Sequence, residues 1–161
     1  MFPRLTAAEP FIRSDVILKN GKHLASVTLF GIDAKKGGKL WGFSENMQPR
    51  ELEALLAPED ATDSLPAIVL GETLAIHLNI SVGDTVRILS PQVSTSTILG
   101  GGHVSSRYKV TGIFVTDLPR YDSQYAVVNL SAARKFMPDY DPSLDEQHYV
   151  TGVAFNLQNP E

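Results

Sequence analysis

The sequence contains no cysteine in its 161 residues. This excludes disulfide bonds, metal sites built on thiolates and cysteine nucleophiles. Long apolar stretches are also missing, because the longest runs, such as Ala67 to Leu70, have four residues, whereas a membrane-spanning helix needs about 20. The N-terminus has no positively charged region followed by an apolar one, so the sequence predicts no signal peptide.

An excess of basic residues is missing as well. The chain has 18 acidic and 14 basic residues, which gives a formal net charge of −4. Without a cluster of Lys and Arg it lacks the basic surface that nucleic-acid binding requires. Apolar residues make up 43% and charged residues 20%, which are the proportions of a packed globular protein and exclude bulk disorder.

The patterns that mark most catalytic and metal sites are absent. The four histidines lie too far apart in sequence for two of them to share one helix face; they are His23, His77, His103 and His148. No Gly-x-Ser-x-Gly sequence occurs, and the three glycines at 100–102 are not followed by the Lys-Ser/Thr of a phosphate-binding loop. The sequence therefore predicts no metal site, no cofactor and no catalytic residue, with a stand-alone hydrolase using Asp and Ser kept as an alternative.

The spacing of apolar residues predicts an α+β fold. We expect strands at 16–18, 23–32, 67–70, 85–89, 108–115, 125–130 and 148–157, and helices at 49–56, 71–78 and 131–137. Asn20-Gly21 is a turn signal that predicts a hairpin of the first two strands. Asn79 is expected to end the second helix in the left-handed conformation, and Ser131 to cap the third. The residues at 117–123 are expected to form a polar turn.

A long irregular segment is predicted from Pro91 to Arg107. Its three consecutive glycines predict a flexible tip, and the apolar residues beside them would face water unless a partner covered them. The segment is thus either a plain loop or a protruding recognition loop. The candidate binding residues are Ile98, Leu99, Gly100, Gly101, Gly102, His103 and Val104.

The run from Pro66 to Pro91 has a characteristic order of features. An apolar strand is followed by Gly-x-x-Leu-Ala-x-x-Leu on a helix, and then by Val-Gly-Asp and a second strand. Gly31-Ile32-Asp33, the strand Val110–Phe114 and the strand Val150–Leu157 stand around it in a consistent order. The whole pattern resembles the extracytoplasmic domain of ABC-transporter permeases of the lipoprotein-releasing LolC/LolE type and of the related MacB-like and FtsX-like permeases.

The resemblance implies two subdomains. Residues 1–57 and 121–161 would form a ferredoxin-like porter subdomain, and residues 66–116 an inserted, Sabre-like small α/β subdomain that carries the loop 91–107. The opening strand and helix of the family have no counterpart here, so the porter subdomain is expected to be truncated at its N-terminus.

The resemblance also implies a location and a set of partners. The chain would be the soluble, periplasmic domain of a bacterial inner-membrane protein, with ATP hydrolysed by a separate cytoplasmic subunit. Expected partners are that ATPase, a second permease subunit, lipoprotein cargo and a periplasmic lipoprotein carrier. In LolC-type subunits a hook-like hairpin recruits the carrier, and the span 91–107 corresponds to it. LolE-type and MacB-type domains lack such a hook, so an efflux or signalling permease remains an alternative.

Overall fold

The computed structural model describes residues 4–33, 47–48, 65–93, 103–116, 118–137 and 150–158. Their strands are β1 (Arg4–Asn20), β2 (His23–Ile32), β3 (Met47–Gln48), β4 (Ala67–Gly71), β5 (Thr85–Val93), β6 (His103–Phe114), β7 (Tyr125–Asn129) and β8 (Gly152–Gln158). Their helices are α1 (Glu72–Leu78), α2 (Pro119–Gln124) and α3 (Leu130–Ala133), and a 3-10 turn follows at Arg134–Phe136. The helix predicted at 49–56 lies outside the described residues.

Six of the strands close into a ring. β1 is antiparallel to both β2 and β5, β2 is parallel to β7, and β7 is antiparallel to β4. β4 is parallel to β6, and β6 is antiparallel to β5, which leads back to β1. Outside this ring, β8 pairs with the N-terminal half of β1 and β3 with the end of β6. Closure leaves no open edge in this ring, which is called the barrel below.

The first hairpin confirms the turn read from the sequence. Asn20 lies opposite His23, and the pairing continues to Phe11 opposite Ile32. Gly21 has φ +57°, a conformation that glycine adopts without the steric cost of a side chain. β1 is much longer than the predicted 16–18 because its first part, from Arg4 to Phe11, pairs with β8 at the other end of the chain.

The larger apolar cluster lies inside the ring. Alternate residues of every ring strand belong to it, and α1 and α3 add theirs at its ends. Its strand residues are Ile12, Val16, Leu18, Val27, Leu29, Ile68, Leu70, Val86, Ile88, Tyr108, Val110, Ala126 and Val128. Since side chains alternate between the two faces of a strand, the residues between these point outward.

A second cluster lies on the outer face of β2, β7, β4 and β6. Its fully buried members are Ile32, Val69, Phe114 and Val127. Ile68 and Leu70 therefore belong to one cluster and Val69 between them to the other. Burial on both faces explains why β4 and β7 are almost continuous apolar runs rather than alternating ones.

The helix predicted at 71–78 is confirmed as α1, with Leu74, Ala75 and Leu78 buried. Asn79 ends it at φ 53° and ψ 51°, the left-handed conformation expected from the sequence. Its backbone N–H donates to the carbonyl of Ile76 at 3.0 Å, which satisfies one of the free carbonyls of the last turn.

Two local predictions are wrong. Ser131 does not cap the third helix, because α3 already begins at Leu130, after Asn129, and no side chain caps it. The polar turn expected at 117–123 contains the helix α2, which Pro119 begins. Proline is favoured there because its fixed φ suits the first turn and its missing N–H would have no partner anyway.

The ring strands of the two expected subdomains form two contiguous groups, which meet where β7 pairs with β4 and where β5 pairs with β1. β1, β2 and β7 come from the porter-like ranges, whereas β4, β5 and β6 come from the Sabre-like range. The two sets share one sheet and one inner apolar cluster.

Gly71, at the end of β4, packs closely against the backbone of α2. A Cβ atom built there would overlap the carbonyl of Asp122 and lie 2.6 Å from the Cα atom of the same residue. The obstacle is backbone, which cannot rotate away as a flexible side chain could. A glycine is therefore required for α2 to contact the end of β4.

We predict that Gly71→Ala lowers the free energy of unfolding by about 3 kcal/mol, the upper part of the range for overpacking. The matched control is Thr73→Ala on the exposed face of α1, which should stay within about 0.5 kcal/mol of the parent chain. Urea denaturation measures both. Equal midpoints for Gly71→Ala and the parent would contradict the close packing.

Candidate partner-binding site

The segment predicted as a recognition loop is built on a hairpin of β5 and β6. The two strands pair from Thr85 opposite Lys109 to Leu89 opposite Ser105, and after a register shift Val93 pairs with His103. The prediction of an irregular segment from Pro91 to Arg107 is wrong at both ends, because 91–93 belong to β5 and 103–107 to β6. Of the candidate residues, His103 and Val104 begin β6, whereas Ile98, Leu99, Gly100, Gly101 and Gly102 lie outside the described residues.

The pairing of β5 with β1 ends before Pro91. β5 pairs with β1 only from Arg87 to Leu89. Two residues later Pro91 has no N–H to donate, so it cannot continue this ladder. The same edge of β1 is used further on by the residues before β8, since the hydroxyl of Thr151 accepts a hydrogen bond from the N–H of Arg13 at 2.8 Å.

The direction of the hairpin follows from these pairings. β5 is antiparallel to β1, with Arg87 opposite Lys19 and Leu89 opposite Ile17. Its C-terminal end therefore runs toward the N-terminal end of β1. At that end of β1, Arg4 lies opposite Gln158 of β8. The hairpin points along the sheet toward the end where the two described ends of the chain lie side by side.

A row of three positive charges crosses the base of the hairpin. Lys19 lies opposite Arg87, and Arg87 opposite Arg107, on three adjacent strands. All three side chains are exposed, and none of them forms an ion pair with another described residue. Like charges directly opposite each other destabilise a sheet, so this basic row is suited to an anionic partner. In the sequence its members stand far apart, and only the strand register brings them together.

The interior side of the same hairpin is fixed by Tyr108. Its hydroxyl donates a hydrogen bond to the carbonyl of Ala132 at 2.7 Å, and its ring lies under the ammonium of Lys135, 5.1 Å from the ring centre. Burial raises the pKa of Tyr108 above its usual value and lowers that of Lys135. The tyrosine therefore stays a neutral donor and anchors β6 to the end of α3.

A surface feature that the sequence did not predict lies at the C-terminal end of β6, where α2 follows the strand. The buried carboxylate of Asp122 accepts hydrogen bonds from the N–H of Thr116 at 2.9 Å and from its hydroxyl at 2.7 Å. These bonds tie α2 to the strand end and hold Leu118 and Tyr121 half-exposed. Tyr121 stacks on Tyr125 with ring centres 5.1 Å apart. In the sequence Asp122 is only one acidic residue in a polar stretch, and neither its burial nor its partner could be read there.

Among the described residues, no three His, Asp or Glu side chains lie together in a way that could hold a metal ion. Within the same ranges, no helix is long and apolar enough to span a membrane. The strand pairings bring the basic row and the β5–β6 hairpin together on the outer surface of the barrel.

The sequence is similar to transmembrane proteins of lipoprotein-releasing systems. No protein-family model matches it. It is 28% identical over 157 residues to the lipoprotein-releasing system transmembrane protein LolC of Xylella fastidiosa, and 24% identical over 157 residues to LolC of Neisseria meningitidis. It is also 24% identical over 162 residues to the lipoprotein-releasing system transmembrane protein LolE of Haemophilus influenzae. Each match covers 98% of this chain and 34% of the relative.

The chain thus spans about a third of the length of the curated relatives that it matches. The resemblance to permeases of the lipoprotein-releasing LolC/LolE type is confirmed, and it extends over nearly the whole chain.

Two solved structures align with the chain over most of its length. The extracellular domain of the noncanonic ABC-type transporter YknZ from Gram-positive bacteria gives a TM-score of 0.49 at 10% identity, covering 96% of this chain and 66% of that one. The periplasmic region of MacB from Actinobacillus actinomycetemcomitans gives 0.48 at 16% identity, covering 96% and 59%.

We predict that Arg107→Glu stabilises the fold, because it replaces a repulsive cross-strand pair with an attractive one. The gain should be about 0.5 kcal/mol at low ionic strength and should shrink in 1 M salt, where surface charges are screened. Thermal unfolding at the two salt concentrations measures it. Arg120→Glu, an equal charge change at an exposed position of α2, is the control. A lower unfolding temperature for Arg107→Glu than for this control at low salt would contradict the basic row.

Proposed function

We propose that the chain is the periplasmic domain of an ABC-transporter permease subunit that releases lipoproteins from the bacterial inner membrane. In this role it binds cargo or a lipoprotein carrier and passes on the conformational change of the membrane helices. The observation that carries the proposal is the similarity to LolC and LolE along 98% of the chain. The relatives bear the name of a lipoprotein-releasing system, and we extend that role to this chain.

The fold supports this role through the position of the chain ends. Arg4 of β1 and Gln158 of β8 lie opposite each other, which suits a domain inserted between two membrane helices. A closed ring with a packed interior suits a rigid body that moves as a unit. We assign the ranges 1–57 and 121–161 to a ferredoxin-like porter subdomain and 66–116 to a Sabre-like one.

The hairpin supports a role in capturing a partner. We assign the hook-like contact to Ile98, Leu99, Gly100, Gly101, Gly102, His103 and Val104, of which His103 and Val104 begin β6 and the other five precede them in the sequence. The basic row at its base, Lys19, Arg87 and Arg107, would add attraction to an acidic surface of the carrier. The apolar contact residues and the basic row together would both bind the carrier and orient it.

No chemical step is assigned to this chain. In the proposed complex a cytoplasmic ATPase subunit supplies the energy, and a second permease subunit faces this one in the membrane. The charged and hydroxyl groups described above hold the fold together or lie on the surface; Asp122, for example, binds Thr116.

The hairpin tip is tested by the double substitution Ile98→Asp and Leu99→Asp. We expect it to reduce capture of the periplasmic lipoprotein carrier of the same organism at least tenfold, because two carboxylates would have to be desolvated at the contact. Biolayer interferometry with the immobilised chain measures the loss. Arg87→Glu with Arg107→Glu should weaken capture mainly by slowing association, and more strongly at low salt.

The matched control is Ile76→Asp, which makes the same change at an isoleucine that is 73% exposed on α1, and it should leave capture unchanged. If the tip variant binds the carrier as well as this control does, the hairpin is not the capture site. If the parent chain does not bind the carrier at all, the hook-like role itself is wrong.

A further inference from the structure

The last strand, β8, pairs on one side only. It runs antiparallel to the first part of β1, from Gly152 opposite Phe11 to Gln158 opposite Arg4. Among the strands that the structure describes, none pairs with its other edge. The backbone N–H and C=O groups along that open edge are therefore available to a further strand. Neither the β5–β6 hairpin nor the basic row uses them.

The backbone at the start of β8 shows which residues face the open edge. The C=O of Phe11 accepts a hydrogen bond from the N–H of Thr151 at 2.9 Å, so Phe11 directs its backbone groups toward β8. Its partner in the ladder, Gly152, directs its own groups toward β1. Successive residues of a strand point these groups to opposite edges. The residues of β8 that face the open edge are therefore Val153, Phe155 and Leu157.

The two outer edges of the β1–β8 ribbon differ in their protection. On the β1 side, the pairing shifts register between Leu5 and Ala7, where β1 contains an extra residue. Pro10 lies on the same side, because it precedes Phe11 and so faces away from β8, and it has no N–H. Bulges and prolines are devices that prevent the pairing of an edge strand. β8 contains no proline and no charged residue, and its own residues pair in unbroken order.

The start of β8 is fixed to the barrel. The hydroxyl of Thr151 accepts a hydrogen bond from the N–H of Arg13 at 2.8 Å and donates one to the C=O of the same residue at 3.3 Å. A Cβ atom built on Gly152 would lie 3.0 Å from the ring of Phe11, so this ring packs directly on the glycine. An added segment would therefore meet an edge that is already ordered, which reduces the entropic cost of binding.

We propose that the open edge of β8 binds an extended, uncharged segment of a partner protein as an added antiparallel strand. The backbone groups of Val153, Phe155 and Leu157 would exchange hydrogen bonds with the backbone of the segment, which is the basis of strand addition. An uncharged segment fits because β8 offers no side chain of opposite charge to pair with a charged one. A third strand would also stabilise a two-stranded ribbon, which is marginal by itself. The proposal goes beyond carrier capture by the β5–β6 hairpin and does not depend on it.

The test uses the 161-residue chain and the peptide acetyl-Ser-Val-Thr-Val-Thr-Val-Ser-amide in two N-methylated forms. One form is methylated at its three valines, which share one edge of the strand, so its other edge can still donate. The other form is methylated at the central Thr-Val-Thr, which blocks both edges with the same number of methyl groups. We expect the second form to bind at least about tenfold more weakly, because it loses backbone hydrogen bonds.

A titration followed by ¹H–¹⁵N NMR measures this binding. With the first form, the amide signals of Val153, Phe155 and Leu157 should shift more than those of Ala154 and Asn156, whose N–H groups face β1. Equal binding of the two forms, or no binding of either, would overturn the proposal. Shifts confined to residues outside β8 would overturn it as well.

A pair of variants at Val153, whose side chain is 44% exposed, tests the same edge from the side of the chain. Val153→Pro removes an N–H from the open edge without removing a donor to β1, and it should weaken binding of the first peptide about tenfold. Val153→Ala shortens the same side chain but keeps the N–H, and it should stay within about twofold of the parent chain. Unchanged signals of Arg13 and Thr151 show that β8 is still anchored.

Equal affinities of these two variants would contradict backbone pairing at the edge. Self-association of the parent chain through β8, seen in sedimentation without peptide, would also contradict the proposal, because a second copy would then occupy the edge. Carrier capture is measured separately with variants of the β5–β6 hairpin, so failure of one proposal leaves the other standing.

Discussion

The fold depends on a short contact between β1 and β5. Three residue pairs, from Ile17 opposite Leu89 to Lys19 opposite Arg87, close the six-stranded ring. Without them the structure would be an open sheet, and the inner faces of Leu18 and Ile88 would lose their cover. The contact joins segments about seventy residues apart, so much chain entropy must be lost before it forms. Folds dominated by such distant pairings form slowly.

Local structure could be predicted where neighbouring residues decide it. The turn at Gly21 and the left-handed Asn79 at the end of α1 follow from backbone conformations that those residue types favour. The apolar run of β4 was recognised as well. In contrast, α2 was predicted as a polar turn. The contacts of Asp122 with Gly71 and Thr116 are not visible in its local sequence. Its helical form depends on contacts with residues that lie elsewhere in the sequence.

The ring and the surface features built on it could not be predicted, for the same reason. Lys19, Arg87 and Arg107 become a row only through the register of three strands. A shift of one residue in any of them would move its side chain to the inner face. The hairpin was anticipated through a family resemblance and an apolar, glycine-rich stretch. The resemblance predicted where in the sequence the hairpin lies. The pairing of β5 with β6 and β1 shows the direction in which the hairpin points.

The antiparallel pairing of Arg4 with Gln158 has a mechanical consequence. When the two ends of the chain are pulled apart sideways, the load falls on one hydrogen bond at a time, and β8 peels from β1 as a zipper opens. When both ends are drawn in the same direction, every bond of the ladder is carried along and the barrel follows as a whole. Forces that act on Arg4 and Gln158 in the same direction would therefore move the barrel as a whole, whereas forces in opposite directions would first detach β8.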